Sequence, residues 1–402
     1  MSDYKTIRNH CLQSQKLTRA VIDEFLIYYA ASKSKLDREF DRQIVPFRHI
    51  VRQLPNEWKN MLKSQYMAHR IFEENGYIHR YLNHSGLKHL SAEEMEFLQS
   101  RAGFPWRFSF SRIIDNPAAD FFEMEDLFTN ESYLLYSPSI TTILQTSEPL
   151  TWFNLIDFNG ECYETYGPVV HFAGFEMDDI LFYARNIANE WLQSGREVVQ
   201  AVEENPVPFS MLIFGSTIPL VFKDTHQIIS ANAEYEVFEP FRSERFRDDF
   251  LIEYSHGVYK LSSKEWGEFP HYSTAFYEEK ENLLYLYAMT DAGFKALVDI
   301  LNSLGFTLDY TPDERVNMSM KSTASEIFKE EFTLNRYDHL FAIDTPPEQQ
   351  KSLDQLNALF AELIPMINNR QEPDIDALAA KYGINPDEVR EIYNTVRKKV
   401  EG

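Results

Sequence analysis

Residues 107–136 read RFSFSRIIDNPAADFFEMEDLFTNESYLLY, and residues 151–172 read TWFNLIDFNGECYETYGPVVHF. These two stretches decide the fold class. They divide into short runs rich in aromatic and β-branched residues, at 107–114, 119–127, 132–136, 151–158 and 169–172. Turn formers separate the runs: Asp115-Asn116-Pro117, Thr129-Asn130, Ser137-Pro138-Ser139, Asn159-Gly160 and Gly167-Pro168. Five short strands so closely spaced predict a small barrel or rolled sheet.

Upstream of Ala102-Gly103-Phe104-Pro105 the pattern is helical. Leu17, Val21, Phe25, Tyr28 and Tyr29 recur at three- and four-residue spacings, predicting an amphipathic helix over 16–44. Helical patterning resumes from Arg48 to Tyr81, punctuated by Pro55, and Ser91 with Glu94 forms a capping-box signature. Downstream, a helix is expected over 177–192. The apolar run Phe209–Phe222 reads as buried strand. Further strand runs follow at 227–231, 235–238, 250–254, 275–277 and 282–289, and Thr290-Asp291-Ala292-Gly293 opens a helix. From Pro312 the chain reads as helical, and Thr345-Pro346-Pro347-Glu348-Gln349-Gln350 reads as a stiff polar linker. The expected fold class is a multidomain α+β protein: a helical part (1–102), a small β-barrel-like domain with a following helix (103–200), an α+β domain (206–335) and a C-terminal helical hairpin (346–402).

The composition supports folded domains. Hydrophobic residues make up 44% and aromatic residues 14% of the 402, enough to fill more than one core. The formal charge is −23, which weakens attraction to nucleic acid and anionic membrane. Residues 1–95 carry 15 Lys and Arg against 11 Asp and Glu, a balance of +4 that leaves −27 for the remainder, so an acidic partner is expected to meet the N-terminal part. No apolar segment is long enough to span a bilayer. Cys11 and Cys162 stand far apart without a Cys-x-x-Cys pair, which argues for inert thiols in a reducing, cytoplasmic setting.

Signatures of chemistry are sparse. No Gly-x-Ser-x-Gly elbow, phosphate loop, dinucleotide fingerprint or kinase signature occurs. His69, His79, His84 and His89 cluster in sequence, but no two are three or four apart, so surface or capping roles outweigh a metal site and no cofactor is expected. Asp120, Glu123, Glu125 and Asp126 surround Phe121, Phe122 and Met124, a pattern that a solvated strand face opposite a buried one explains. Arg242, Arg245 and Arg247 beside Phe241 and Phe246 form the arginine–aromatic mixture that can contact phosphates and stack on bases. Glu244, Asp248 and Asp249 offset much of its charge, so an ordinary loop laced with ion pairs outweighs a nucleic-acid surface, and the three arginines stand as partner-binding candidates. Residues 375–392 carry a helix-turn-helix-like pattern: Ala379 at the crossing, Gly383 at the turn, Asn385 and Pro386 at the second helix start, Ile384, Val389 and Ile392 on the inner face. Asp387 and Glu388 lead that second helix, which disfavours DNA reading, while Arg390, Arg397, Lys398 and Lys399 lie further along as partner-binding candidates.

Three segments together resemble the body of uncharacterised bacterial proteins of the SEC-C-motif-containing type. These are Leu90-Ser91-Ala92-Glu93-Glu94 with the Phe108-Ser109-Phe110 strand, Asp126-Leu127-Phe128-Thr129-Asn130-Glu131-Ser132 closed by Gly167-Pro168, and the strand and helix over 283–301. Asn130 replaces the family's glycine, and the cysteine-rich zinc knuckle itself is absent. The resemblance implies no catalytic residue. The sequence therefore predicts a non-enzymatic binding or adaptor protein acting on a protein or ribonucleoprotein partner, without a membrane. The alternatives are a nucleic-acid-associated regulator using the C-terminal segment, and a hydrolase or nuclease with a dispersed acidic or histidine site.

Overall fold

The computed structural model describes residues 4–188, 192, 194–218, 220–223, 225–238, 241–341, 347–368 and 371–401, except the side chains at 216–217, 347–354, 368 and 398–401. Its chain divides into two compact units, 1–253 with 259–332, and 254–258 with 333–402.

The five-strand expectation is met by a closed barrel. Strands β1 (Arg107–Ala118), β2 (Phe121–Asp126), β3 (Ser132–Tyr136), β4 (Thr151–Phe158) and β5 (Tyr163–Phe172) close in the order β1-β2-β3-β5-β4. Only β3 and β5 run parallel. Strand β5 begins six residues before the expected run. Gly167-Pro168, read as a turn, lies inside the strand where the β4–β5 register shifts, a bulge that tolerates both the +80° φ of Gly167 and the missing Pro168 donor. The barrel is filled by Phe122, Met124, Tyr133, Leu135, Trp152 and Ile156, capped by Ile140 of the short helix Pro138–Ile143. Phe108, Phe110, Phe153, Leu155 and Phe172 point the other way, into a core shared with the helices on either side in sequence.

Those helices differ in detail from the expected long one. The chain is helical from Tyr4 to Lys33 but widens to a π-helix over Thr18–Leu26, which turns Val21, Ile22 and Leu26 into the core. Lys35, at φ 57°, breaks it before the helix Leu36–Gln43. Pro55 precedes the helix Asn56–Phe72, and the Ser91–Glu94 capping box forms as read, opening Ala92–Ala102. Trp106 stacks on Phe72 at 4.4 Å between centroids and donates its backbone N–H to the Phe72 carbonyl, so the barrel starts where the helices end.

A buried polar seam joins the first helix, the helix Ala92–Ala102 and the β4–β5 end of the barrel. Arg101, 2% exposed, lies 2.6 Å from Asp157 and 3.2 Å from Glu164. Ser14 donates to Glu164 at 2.5 Å, and Asn159 donates to the same carboxylate at 2.9 Å. Two buried carboxylates share one guanidinium. Burial pushes Asp157 up to about 7, with Arg101 opposing and Glu164 reinforcing the shift.

The second sheet follows helices Met177–Ala188 and Gly195–Glu204. The run Phe209–Phe222 is not a buried strand. It folds as a helix Pro206–Ser210 and a 3₁₀ stretch Met211–Thr217, because Pro206 at the first helical position starts the turn and a short apolar run carries no period of its own. Two-residue strands β6 (Phe222–Lys223) and β7 (His226–Gln227) pair with each other. The larger sheet contains β8 (Ile229–Glu236), β9 (Phe250–Ser255), β10 (Val258–Ser263), β11 (Thr274–Glu278), β12 (Leu283–Ala288) and β13 (Glu314–Asn317), ordered β13-β8-β12-β11-β10-β9. The runs 227–231 and 235–238 merge into β8, and β13 precedes the helix Met318–Phe328 where only helix was expected. Ala231 and Ala233 of central β8 are small enough to let Phe294, Leu297, Val298 and Leu301 of the helix Asp291–Ser303 pack on the sheet.

The C-terminal unit contains the short helix Asp338–Phe341 and the helices Pro347–Asn368, Ile375–Tyr382 and Pro386–Glu401, the last three packed around Leu359, Leu363, Leu378, Ala379 and Val389. Pro347 opens a helix rather than belonging to a linker, since a first-turn residue needs no intrahelical donor. Thr345 and Pro346 lie outside the described residues. Asp374 caps the middle helix, Gly383 ends it at φ +66°, and Asn385 accepts from the Asp387 N–H at 2.9 Å.

Two measurements check this construction. Phe153 stacks on Phe110 at 4.3 Å in the shared core, so Phe153→Ala lowers the unfolding free energy of its unit by about 3–5 kcal/mol and Phe153→Leu by about 1.5 kcal/mol or less, read by urea titration. Asp157 holds its proton more tightly folded than unfolded, from an ordinary 3.8 to about 7. The folded state therefore binds more protons between about pH 4 and 7, and stability falls as pH rises through that window by up to about 1.4 kcal/mol per pH unit. Asp179 is raised to about 7 in the same way and adds to the same slope, so Asp157→Asn reduces the slope without abolishing it; an unchanged slope in the variant contradicts the assignment.

Candidate functional site

The arginine–aromatic segment after β8 lines the most clearly formed apolar cleft of the sheet domain. The cleft, about 880 Å³, lies between the ends of β8, β11 and β12 and the chain leaving the helix Asp291–Ser303. Its volume suits one or two large side chains or a small molecule. Phe241 makes the floor, stacked between Phe246 (5.0 Å, 16° between planes) and Tyr277 (4.8 Å, 16°), with Tyr259 at 4.4 Å. Phe306 closes the opposite side.

The three arginines separate. Arg245 donates to the Leu304 carbonyl at the end of the helix Asp291–Ser303, and its guanidinium lies 5.2 Å from the Phe306 ring centre. Gly305 makes this possible: its φ is +92°, and a Cβ there would stand 2.8 Å from Arg245 Nη2. Arg247 is exposed and does not line the cleft, and its carbonyl accepts from Lys264 Nζ at 2.7 Å. Arg242 is exposed at the cleft mouth. Phe238 lines the same cleft and is 93% exposed, an apolar side chain left almost wholly in water.

The histidines do not converge. His69 is fully buried with Nε2 2.5 Å from Glu203, whose other oxygen accepts the Phe108 N–H. His84 Nδ1 accepts from the Gly86 N–H at 3.0 Å and also bonds the Tyr29 hydroxyl. His89 packs edge-on against Phe25, and His79 lines a separate small cleft with Arg80. Among the described residues no group of three or more His, Cys, Asp or Glu is placed to hold a metal ion.

The β2 carboxylates are also dispersed. Asp120 pairs with Arg8, Glu125 with Arg112, and Glu123 is exposed. Asp126 is buried, accepting from Ser109 and from the Phe128 and Thr129 N–H groups of the following turn. In the C-terminal unit Arg390 pairs with Asp387 at 2.8 Å, and Arg397 donates to Tyr393 at 3.2 Å. The Lys398 and Lys399 side chains lie outside the described residues. Among described residues no helix is long and apolar enough to cross a membrane.

The sequence locates Arg242, Arg245, Phe241 and Phe246 in one place because they are neighbours in the chain. It misses Phe238, read as the end of a strand, and Tyr277 and Phe306, which arrive from distant segments. The divided roles of Arg242 and Arg245 have a measurable consequence. Gly305→Ala lowers stability by about 1–2 kcal/mol by straining the turn against Arg245, whereas Arg242→Ala stays within about 0.5 kcal/mol of the parent, measured by urea titration. Comparisons with family models, with curated proteins and with solved structures find no match to this chain.

Proposed function

We propose that this chain is a non-enzymatic binding protein whose sheet-domain cleft takes a segment of a macromolecular partner, with an apolar side chain seated on Phe241 and a carboxylate beside Arg242. The observation that carries the reading is an aromatic-floored cleft whose lining includes both the exposed Phe238 and the exposed Arg242. Burying a phenyl side chain from water is worth about 1.5–3 kcal/mol, a gain that folding alone leaves uncollected here. Aromatic and arginine side chains dominate binding energy at protein interfaces, and this mouth presents both. A chain of net charge −23 presents little general attraction to a polyanion, which favours a protein segment over nucleic acid.

The nucleic-acid reading of the C-terminal unit draws on Arg390, Arg397, Lys398 and Lys399. The ion pair from Arg390 to Asp387 offsets part of that charge, and no observation of equal weight favours it. The hydrolase reading draws on carboxylates and histidines that are spread over separate elements.

The test is a peptide-display selection on the full chain with counter-selection on Arg242→Glu. The expected consensus is an aromatic or large aliphatic residue flanked by Asp or Glu. A labelled consensus peptide then binds Arg242→Glu and Phe238→Ser at least about tenfold more weakly than the parent by fluorescence anisotropy. Peptides that bind all three proteins equally, or no enrichment, overturn the reading.

A further inference from the structure

Cys11 and Cys162, 151 positions apart, meet inside the protein with their sulfurs 3.5 Å from each other. Cys11 lies in the helix Tyr4–Leu17, and Cys162 in the turn between β4 and β5. Both are buried, packed with Phe121 and Tyr136. A thiol pair at this separation is in van der Waals contact, and a disulfide bond needs the sulfurs about 1.5 Å closer.

The surroundings hold this pair in place. Asn159 Nδ2 lies 3.4 Å from Cys11 Sγ and 3.7 Å from Cys162 Sγ, and its Oδ1 accepts from the Glu161 and Cys162 N–H groups, fixing the turn that carries Cys162. His10 Nε2 lies 2.9 Å from the Asn159 carbonyl, Arg8 pairs with Asp120, and beyond Cys11 Ser14 donates to Glu164 at 2.5 Å, so the helix is tied to the barrel on both sides of Cys11. The Cys162 hydrogen bond lowers the Cys11 pKa below that of an ordinary thiol, while burial and Glu164 oppose it, and the same contact raises Cys162.

We infer that Cys11 and Cys162 form a reversible dithiol–disulfide site that a low-molecular-weight disulfide oxidises, clipping the first helix to the β4–β5 turn. The Cys11 thiolate attacks one sulfur of the reagent and expels its first thiolate. Cys162 then loses its proton and attacks Cys11 Sγ, expelling the second. Two S–H bonds give way to one S–S bond, and the reagent leaves as two thiols. Access comes from detachment of the helix Tyr4–Leu17, whose buried residues are Cys11 and Ser14; opening it breaks the Ser14 bonds to Glu164 and Arg101 but exposes little apolar surface.

The full chain is incubated with oxidised glutathione, quenched with iodoacetamide and digested. The expected product has lost the mass of two hydrogen atoms, takes up no iodoacetamide, and yields one peptide joining Cys11 to Cys162. Its first thermal transition rises by about 5–10 °C and returns with dithiothreitol. Cys11→Ser and Cys162→Ser each abolish the crosslinked peptide and the thermal shift. Glutathione retained on either cysteine of the parent, or both thiols still alkylated after prolonged exposure, overturns the inference; each outcome is read on the parent protein and stands whether or not the serine variants fold.

Discussion

Strand β4 is buried on both faces, and the first unit depends on that constraint. Trp152 and Ile156 fill the barrel, while Phe153 and Leu155, one residue along, point outward into the helical core. A barrel with such an outer wall would leave its aromatic residues in water if it stood alone. The helices before it and after it are therefore parts of its core. The stacked pairs Phe72–Trp106 and Phe110–Phe153 mark where that shared interior is continuous across the boundary between helix and strand.

The same seam carries the most costly polar groups of the unit. Removing Arg101, Asp157 and Glu164 from water is unfavourable, and the geometry compensates by arranging them with Ser14 and Asn159 as one network. Within this network Ser14 ties the first helix to Glu164 at the β4–β5 end of the barrel, and Cys11 meets Cys162 at the same junction.

The sheet domain uses its charged residues differently. Arg245 donates to the helix end at Leu304, while the neighbouring Arg242 lines the cleft and is exposed. Three arginines that look alike in sequence are a helix cap, a cleft-lining cation and an exposed side chain outside the cleft. The histidines behave in the same way: His69 completes a buried pair with Glu203, His84 caps a turn, and His89 packs on Phe25. Proximity in sequence brought them to one helical part but aimed them at different neighbours.

The sequence alone determined the α+β class, most barrel strands, the capping box at Ser91 and the helical hairpin at the C-terminus. Each rests on spacing or on turn and cap residues acting within a few positions of one another. Tertiary structure decided the rest. The apolar run after Phe209 became helix because periodicity is mute in a short uniform stretch. Gly167-Pro168 became a bulge because β4 pairs across it. Phe238, Tyr277 and Phe306 joined Arg242 at one cleft, and Cys11 reached Cys162, because packing brings together residues whose separation along the chain carries no signal. Local chemistry is written in neighbours; a site assembled from distant segments exists only once the core has closed.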